Sequence, residues 1–271
     1  MRKWLLIALV LSLLVACKPA RPLTFVIIPA EEESLSQEQF APLVEYLTKE
    51  LGREIKLLTV ADYTAVVEAM KYGHADIARF GPFSYILATQ EAEVEAIAAG
   101  IKMKTGLPDY KAFIVARADR GVTDLTGVSF AYADIGSTSG YLVPATYIEQ
   151  EGIELGEVLF AGTHSAVIEA VKNGMVDAGA VADNRYYIAL DEKIIEEGEF
   201  TILWESEPIP NSPVAVQKSM DAKLKKRLTE ALLACPREIV EATAIGEIGY
   251  APMQDSDFDV IREIQETLEL D

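Results

Sequence analysis

Two hydrophobic rhythms alternate along this chain. Leu23-Thr24-Phe25-Val26-Ile27-Ile28 is an unbroken, mostly apolar run of strand length. Phe40, Leu43, Val44, Leu47 and Leu51 then recur at helical spacing, with Gly52 after the last of them. Pro42 falls inside this pattern, so either only the first helical turn precedes it or the helix kinks there. Ile55-Lys56-Leu57-Leu58 reads as a strand, Tyr63 to Tyr72 as a helix, Asp76 to Ala78 as a strand and Pro82 to Gln90 as a helix. Strands alternating with helices predict an α/β fold, with a parallel sheet covered on both faces.

The pattern starts afresh after the apolar strand Ala112-Phe113-Ile114-Val115-Ala116. It continues through strand Val128 to Tyr132, a helical stretch Tyr141 to Gln150, strand Val158 to Ala161, another helix, and strand Ala178 to Val181. Ile202-Leu203-Trp204 closes this second unit. Pro208-Ile209-Pro210-Asn211-Ser212-Pro213 reads as a rigid crossing into strand Val214-Ala215-Val216. The last helices, with Leu224, Leu228, Leu232 and Ile239, return to the first unit. Two lobes follow, 23–112 with 210–271 and 113–209, joined by two hinge crossings.

An internal repeat supports the two-lobe reading. Val66-Val67-Glu68-Ala69-Met70-Lys71-Tyr72-Gly73-His74-Ala75-Asp76 reappears 101 residues later as Val167-Ile168-Glu169-Ala170-Val171-Lys172-Asn173-Gly174-Met175-Val176-Asp177. Each copy reads as an amphipathic helix, a glycine that ends it in the left-handed region, and a buried strand. Solenoids stack several short units, so two copies at so long a spacing indicate two lobes of similar plan. A cleft between such lobes is a usual place for a small ligand.

The ends and the charge narrow the setting. Arg2-Lys3 precedes an apolar run from Trp4 to Leu14, too short to span a bilayer comfortably. Residues 1–16 therefore read as an export signal, the alternative being an uncleaved signal anchor. Leu14-Val15-Ala16-Cys17 resembles the lipobox of bacterial lipoproteins, which implies cleavage before Cys17 and its acylation, with 17–22 as a short tether. Cys235 then has no partner for an intramolecular disulfide and reads as a small buried apolar residue. Two histidines and no paired cysteines argue against a metal site. A formal charge of −19 argues against nucleic-acid binding.

Candidate ligand groups come from the repeat and from one polar run. Shifted by the repeat, His164 falls on Tyr63, at the starts of equivalent helices. In open α/β folds such positions follow strand C-termini, where ligands bind. Ser137-Thr138-Ser139-Gly140 follows the loop after Tyr132 and precedes a helical stretch. Three hydroxyls near a helix start can surround a tetrahedral oxyanion, although Ser and Thr are also ordinary N-caps. With His164 in the same lobe, the combination points to anion capture.

At these residues the chain resembles the phosphonate, phosphite and phosphate-type solute-binding proteins of bacterial ABC transporters. The likeness runs through Ala61-Asp62-Tyr63, Asp76-Ile77-Ala78-Arg79-Phe80-Gly81-Pro82, Ser137-Thr138-Ser139-Gly140-Tyr141-Leu142-Val143-Pro144, Ala161-Gly162-Thr163-His164, Val176-Asp177-Ala178-Gly179-Ala180 and Gly249-Tyr250-Ala251-Pro252. It implies the type II periplasmic-binding-protein fold, no catalytic activity, no cofactor, and a monomer held in the cell envelope through Cys17. Its implied partners are a small phosphorus oxyanion and the permease and ATPase of an importer. The resemblance puts the phosphonyl oxygens on Ser137, Thr138, Ser139 and His164, with Tyr63 and Tyr110 closing the pocket.

Where aminoalkylphosphonate binders of this family hold the ammonium with acids, the matching positions here are Asn184 and Ser212, both neutral. Asp183 is the nearest acid and could enter by a one-residue shift. The expected affinity order is phosphite or methylphosphonate, then phosphate, then 2-aminoethylphosphonate. Phe80 and Tyr85 fit either the pocket or the core. Two other classes stay in view. One is a sensory binding protein. The other is a hydrolase using Ser139, His164 and Asp183, which the Thr at the centre of Gly136-Ser137-Thr138-Ser139-Gly140 disfavours.

Overall fold

The computed structural model describes residues 21–28 and 33–268. The expected signal and Cys17 lie outside these residues. Among the described residues, no helix is long and apolar enough to cross a membrane.

The first lobe is built on a six-stranded sheet. Strand β1 (Leu23–Ile27) leads through α1 (Glu33–Leu51) to β2 (Ile55–Thr59), and α2 (Tyr63–Lys71) leads to β3 (Ile77–Arg79). Helix α3 (Pro82–Glu91) and β4 (Val94–Lys102) complete the outward chain. After the return come β12 (Pro213–Gln217), α7 (Ala222–Leu233), α8 (Arg237–Glu241), β13 (Glu247–Ala251) and α9 (Asp259–Thr267). The strand order is β13-β4-β12-β3-β1-β2. One face buries Leu43, Leu47, Leu228 and Leu232, and the other buries Val66, Met70, Ile86 and Ile261. Nine residues of α1 precede Pro42, so the helix does not begin one turn before it.

The second lobe has a five-stranded sheet. Its chain runs β6 (Ala112–Arg117), β7 (Phe130–Tyr132), a π-turn over Thr138–Leu142, α4 (Val143–Gln150), β8 (Val158–Phe160), α5 (His164–Lys172), β9 (Ala178–Ala182), α6 (Asp183–Asp191) and β10 (Phe200–Glu205). Its order is β10-β6-β9-β7-β8. Between the lobes, β5 (Asp109–Tyr110) and β11 (Ile209–Pro210) pair antiparallel, so the two crossings lie side by side as a hinge.

Both sheets are mixed, which corrects the parallel sheet expected from alternation. The hinge supplies the reason. β12 enters beside the end of β3, with Val214 opposite Arg79, and β6 starts beside the end of β9, with Ala112 opposite Ala182. A strand that begins where its neighbours end must run against them. The outer β1, β2 and β3, and the pairs of β7 with β8 and β9, remain parallel.

The repeated sequence builds the same device twice. Asp62 caps α2 by accepting the Ala65 N–H at 2.8 Å, and Thr163 caps α5 by accepting the Ala166 N–H at 3.1 Å. Gly73 and Gly174 follow the two helices at φ 67° and 70°. The repeated aspartates then fasten the neighbouring parallel strand, β1 in the first lobe and β7 in the second. Asp76 accepts the Thr24 N–H at 2.9 Å, and Asp177 accepts the Ser129 N–H at 3.2 Å. Equivalent geometry therefore places Tyr63 and His164 at the first positions of their helices.

The lobes touch across the cleft. The Phe83 N–H of α3 donates to Thr138 Oγ1 at 2.8 Å, and Asn184 Nδ2 donates to the Ile245 carbonyl at 3.0 Å. Leu142, Val143 and Ala182 of the second lobe pack into an apolar cluster of the first. The conformation is a closed one.

Candidate functional site

A cavity of about 50 Å³ lies between the lobes at the hinge. Sites for drug-sized ligands occupy roughly 300–1,000 Å³, so this one accommodates only a handful of heavy atoms. Its lining is polar. Ser137, Thr138, Ser139, His164, Asn184 and Arg185 come from the second lobe, Tyr63, Arg79 and Lys102 from the first, and Tyr110, Asn211 and Ser212 from the hinge and its edge.

The hydroxyl wall is shaped by the π-turn. Ser137 Oγ accepts the Gly140 N–H at 3.1 Å, and the Leu142 N–H reaches the Ser137 carbonyl at 3.0 Å. The sequence predicts a helix from Tyr141, whereas a wider turn carries Thr138 to Leu142 and the α-helix follows it. All three hydroxyl residues are 1% exposed. The Tyr63 phenol lies beside Ser137, and the Tyr110 phenol lies beside Ser139 and Thr138. Burial raises both tyrosine pKa values, so the phenols stay protonated as donors. Gly140 is required by a close approach: a Cβ there would stand 2.9 Å from His164 Cε1 and 2.8 Å from Ser137 Oγ.

His164 presents one nitrogen to the cavity side of this wall. Its Nδ1 accepts the Ala182 N–H at 3.3 Å, which makes Nε2 the protonated nitrogen of a neutral ring. Burial, with Arg185 and Lys102 nearby, pushes its pKa down to about 3. A hydrolytic relay would need Nδ1–H donated to a carboxylate. Here Nδ1 accepts a backbone proton, and Asp183 is not among the cavity-lining residues. Asp183 instead opens α6, where its Oδ1 accepts the Asn184 N–H at 2.6 Å.

The opposite wall holds what the sequence reading did not anticipate. Arg79, at the end of β3, and Lys102, at the end of β4, are 7% and 5% exposed. Behind them stands Glu247 of β13, fully buried. Its Oε1 accepts from an Arg79 terminal nitrogen at 2.8 Å and from Asn211 Nδ2 at 2.8 Å, with Lys102 Nζ at 3.7 Å. Gly100 makes the room, because a Cβ there would lie 2.0 Å from the Glu247 carboxyl carbon. Arg79 Nε and Glu247 Oε2 have no hydrogen-bond partner. Burial pushes the Lys102 pKa down to about 8; Glu247 opposes the shift, and Arg79 and Arg185 add to it.

Of the anticipated residues, Ser137, Thr138, Ser139, His164, Tyr63, Tyr110, Asn184 and Ser212 meet in this cavity. Asp183 does not line it; its carboxylate accepts the Asn184 N–H at the start of α6. Phe80 and Tyr85 belong to the core: Tyr85 donates its hydroxyl to Asp255 at 2.8 Å and packs on Phe258. Arg79 was legible as an arginine ending a buried strand, whereas nothing in the pattern marked Lys102 or Glu247.

A neutral buried imidazole has a measurable signature. In the ligand-free protein, we expect nitrogen NMR shifts of His164 to report the Nε2–H neutral form at pH 6, with no protonation midpoint above about pH 5. The sign follows from the depressed pKa: the unfolded chain takes up this proton near pH 6.5 and the folded chain does not. A midpoint near 6 would contradict the buried geometry.

Comparison with known proteins agrees with this architecture. Residues 25–258 match the family described as "ABC transporter, phosphonate, periplasmic substrate-binding protein". The "Phosphate-import protein PhnD" of Mycolicibacterium smegmatis is 29% identical over 89% of this chain and 84% of its own length. The "Phosphonates-binding periplasmic protein" of Escherichia coli is 24% identical over 87% of this chain and 72% of its own. The structure of PhnD1 from Prochlorococcus marinus in complex with methylphosphonate superposes with a TM-score of 0.83 at 20% identity, covering 91% of this chain and 98% of the other. That last likeness establishes the two-lobed fold. The chain belongs to the family of periplasmic substrate-binding proteins of phosphonate ABC transporters.

Proposed function

We propose that this protein captures a small phosphorus oxyanion outside the cytoplasm and delivers it to an ABC importer. One observation carries the reading: a small, polar cavity between the lobes has hydroxyls, a neutral imidazole and Arg185 on one side and Arg79 and Lys102 on the other. Ser137, Thr138, Ser139 and His164 Nε2 would hold three oxygens of the anion. Tyr63 from the first lobe and Tyr110 from the hinge lie beside those hydroxyls and line the same cavity, so they would close it around the anion. Binding at both walls would favour the closed form, because only there does one ligand touch both.

The cavity's size supports phosphite, methylphosphonate or phosphate. Its charges speak against 2-aminoethylphosphonate. An ammonium placed beside Lys102 and Arg79 would be buried with like charges, and Asn184 and Ser212 offer no carboxylate to offset the cost.

The anion site is tested by calorimetry on Ser139→Ala and His164→Ala with phosphate, phosphite and methylphosphonate. A hydrogen bond to a charged group contributes roughly 1.5–3 kcal/mol, so each change should weaken binding on the order of tenfold to a hundredfold. Near-native affinity in both variants would place the site elsewhere.

We also propose that Cys17 is acylated and that residues 17–22 tether the lobes to the membrane. The motif Leu14-Val15-Ala16-Cys17 supports this. Intact-mass measurement of the membrane-fraction protein should show a chain beginning at a diacylglyceryl Cys17. An unmodified Cys17 in that fraction would contradict it.

A further inference from the structure

Four groups surround a phosphorus atom, and the hydroxyl wall accounts for three of them. Resting on the oxyanion reading above, the fourth substituent points away from the hydroxyl wall, toward Arg79, Lys102 and Asn211. We infer that Lys102 and Arg79, held in place by Glu247, form a subsite for this fourth substituent and select an oxygen there over hydrogen, methyl or an ammonium-bearing arm. The ligand class is then phosphate rather than phosphite or an alkylphosphonate. This reverses the order expected from sequence, which gave the fourth oxygen only Asp183 to meet.

The charge arrangement carries the argument. One buried carboxylate serves two buried cations. Arg79 takes the short contact to Glu247 Oε1 at 2.8 Å, and Lys102 is left at 3.7 Å from the same oxygen. Asn211 fills another position on that oxygen. The groups bearing on Lys102 are Glu247 from β13, Arg79 from β3, and Asp183 and Arg185 from α6, with the Tyr110 ring 5.4 Å away. Burial outweighs its attractions, so Lys102 is a cation that gains from a further anionic partner.

A hydrogen or methyl group on phosphorus offers Lys102 no acceptor. A fourth oxygen does, and Asn184 completes the subsite. The Asn184 amide nitrogen is engaged with the Ile245 carbonyl at 3.0 Å, which leaves the amide oxygen as an acceptor at the cavity. At neutral pH the fourth oxygen of phosphate is frequently protonated. It can accept from Lys102 while its hydroxyl donates to Asn184. A site that hydrogen-bonds a ligand hydroxyl discriminates strongly against the analogue lacking it, because its own buried groups are then left unmatched.

Glu247 acts through these groups as a positioning residue. It touches Arg79, Lys102 and Asn211 together, from behind the cavity lining. Gly100 and Glu247 form a matched pair, since any side chain at position 100 would displace the carboxylate.

The test is competitive calorimetry with phosphate, phosphite and methylphosphonate on the wild-type chain and on Lys102→Met, which leaves Arg79 paired with Glu247. At pH 7.5 we expect wild-type protein to bind phosphate at least about tenfold more tightly than phosphite, one charge-assisted bond's worth. Lys102→Met should weaken phosphate far more than phosphite and so lose most of that ratio. Should the variant not fold, the same ratio in wild-type protein decides the matter. It should fall as pH rises through about 8, where Lys102 loses its proton and both ligands are already dianions. Tighter binding of phosphite or methylphosphonate than of phosphate overturns the subsite while leaving the oxyanion reading intact. So does a ratio indifferent to both Lys102 and pH. Failure of all three anions to bind overturns the oxyanion reading itself, and the subsite with it.

Discussion

A buried carboxylate sets the geometry on which the rest of this cleft depends. Glu247 lies against Gly100 with no solvent contact, and one of its oxygens gathers Arg79, Lys102 and Asn211. Burying a charge is costly unless it is paired and hydrogen-bonded, so the residues that could satisfy Glu247 are fixed around it. Those residues come from β3, from β4 and from the chain just after the hinge strand β11. The contacts that pair one oxygen of the carboxylate therefore weld the outgoing and returning chains together beside the hinge. They also leave two cations and one anion at the floor of the cavity, an imbalance suited to an anionic ligand.

The other wall solves a different problem. Beside Arg185, hydroxyls and a neutral imidazole can bind an oxyanion as neutral donors, but only if they are oriented in advance. The π-turn, the Gly140 contact with His164 and the bond from Ala182 N–H to His164 Nδ1 orient them. The bond from Phe83 N–H to Thr138 Oγ1 ties that wall to the first lobe, and Tyr63 and Tyr110 lie against it. Closure and preorganisation are in this way the same set of contacts. The apolar packing of Leu142, Val143 and Ala182 against the first lobe adds non-directional support.

Much of this was legible in the sequence because it is local. The repeat from Val66 and from Val167 contains its terminating glycine and its strand-fastening aspartate, with a cap four residues before each copy, so the twofold plan follows from short stretches of sequence. Ser137 to Ser139 and His164 stand at turns whose chemistry is also local. What escaped the sequence reading depends on pairing between distant segments. β4 is rich in alanine and shows no clean alternation, yet it lies between β12 and β13 because the returning chain pairs with it from both sides. Lys102 ends that strand and Glu247 begins β13, 145 positions later in the numbering, so no local pattern joins them. Asp183 illustrates the reverse error. Its charge suggested a ligand contact, but a helix start offered its carboxylate a nearer partner in the Asn184 N–H.

The central claim is that one small anion is held by both walls at once. A crystal structure of the protein with phosphate bound tests it most directly. The account predicts phosphate oxygens within hydrogen-bond distance of Ser139 and of His164 Nε2 from the second lobe, and a fourth oxygen within that distance of Lys102 Nζ from the first. Phosphate seated on one lobe only, or outside the Glu247-supported cavity, would contradict it.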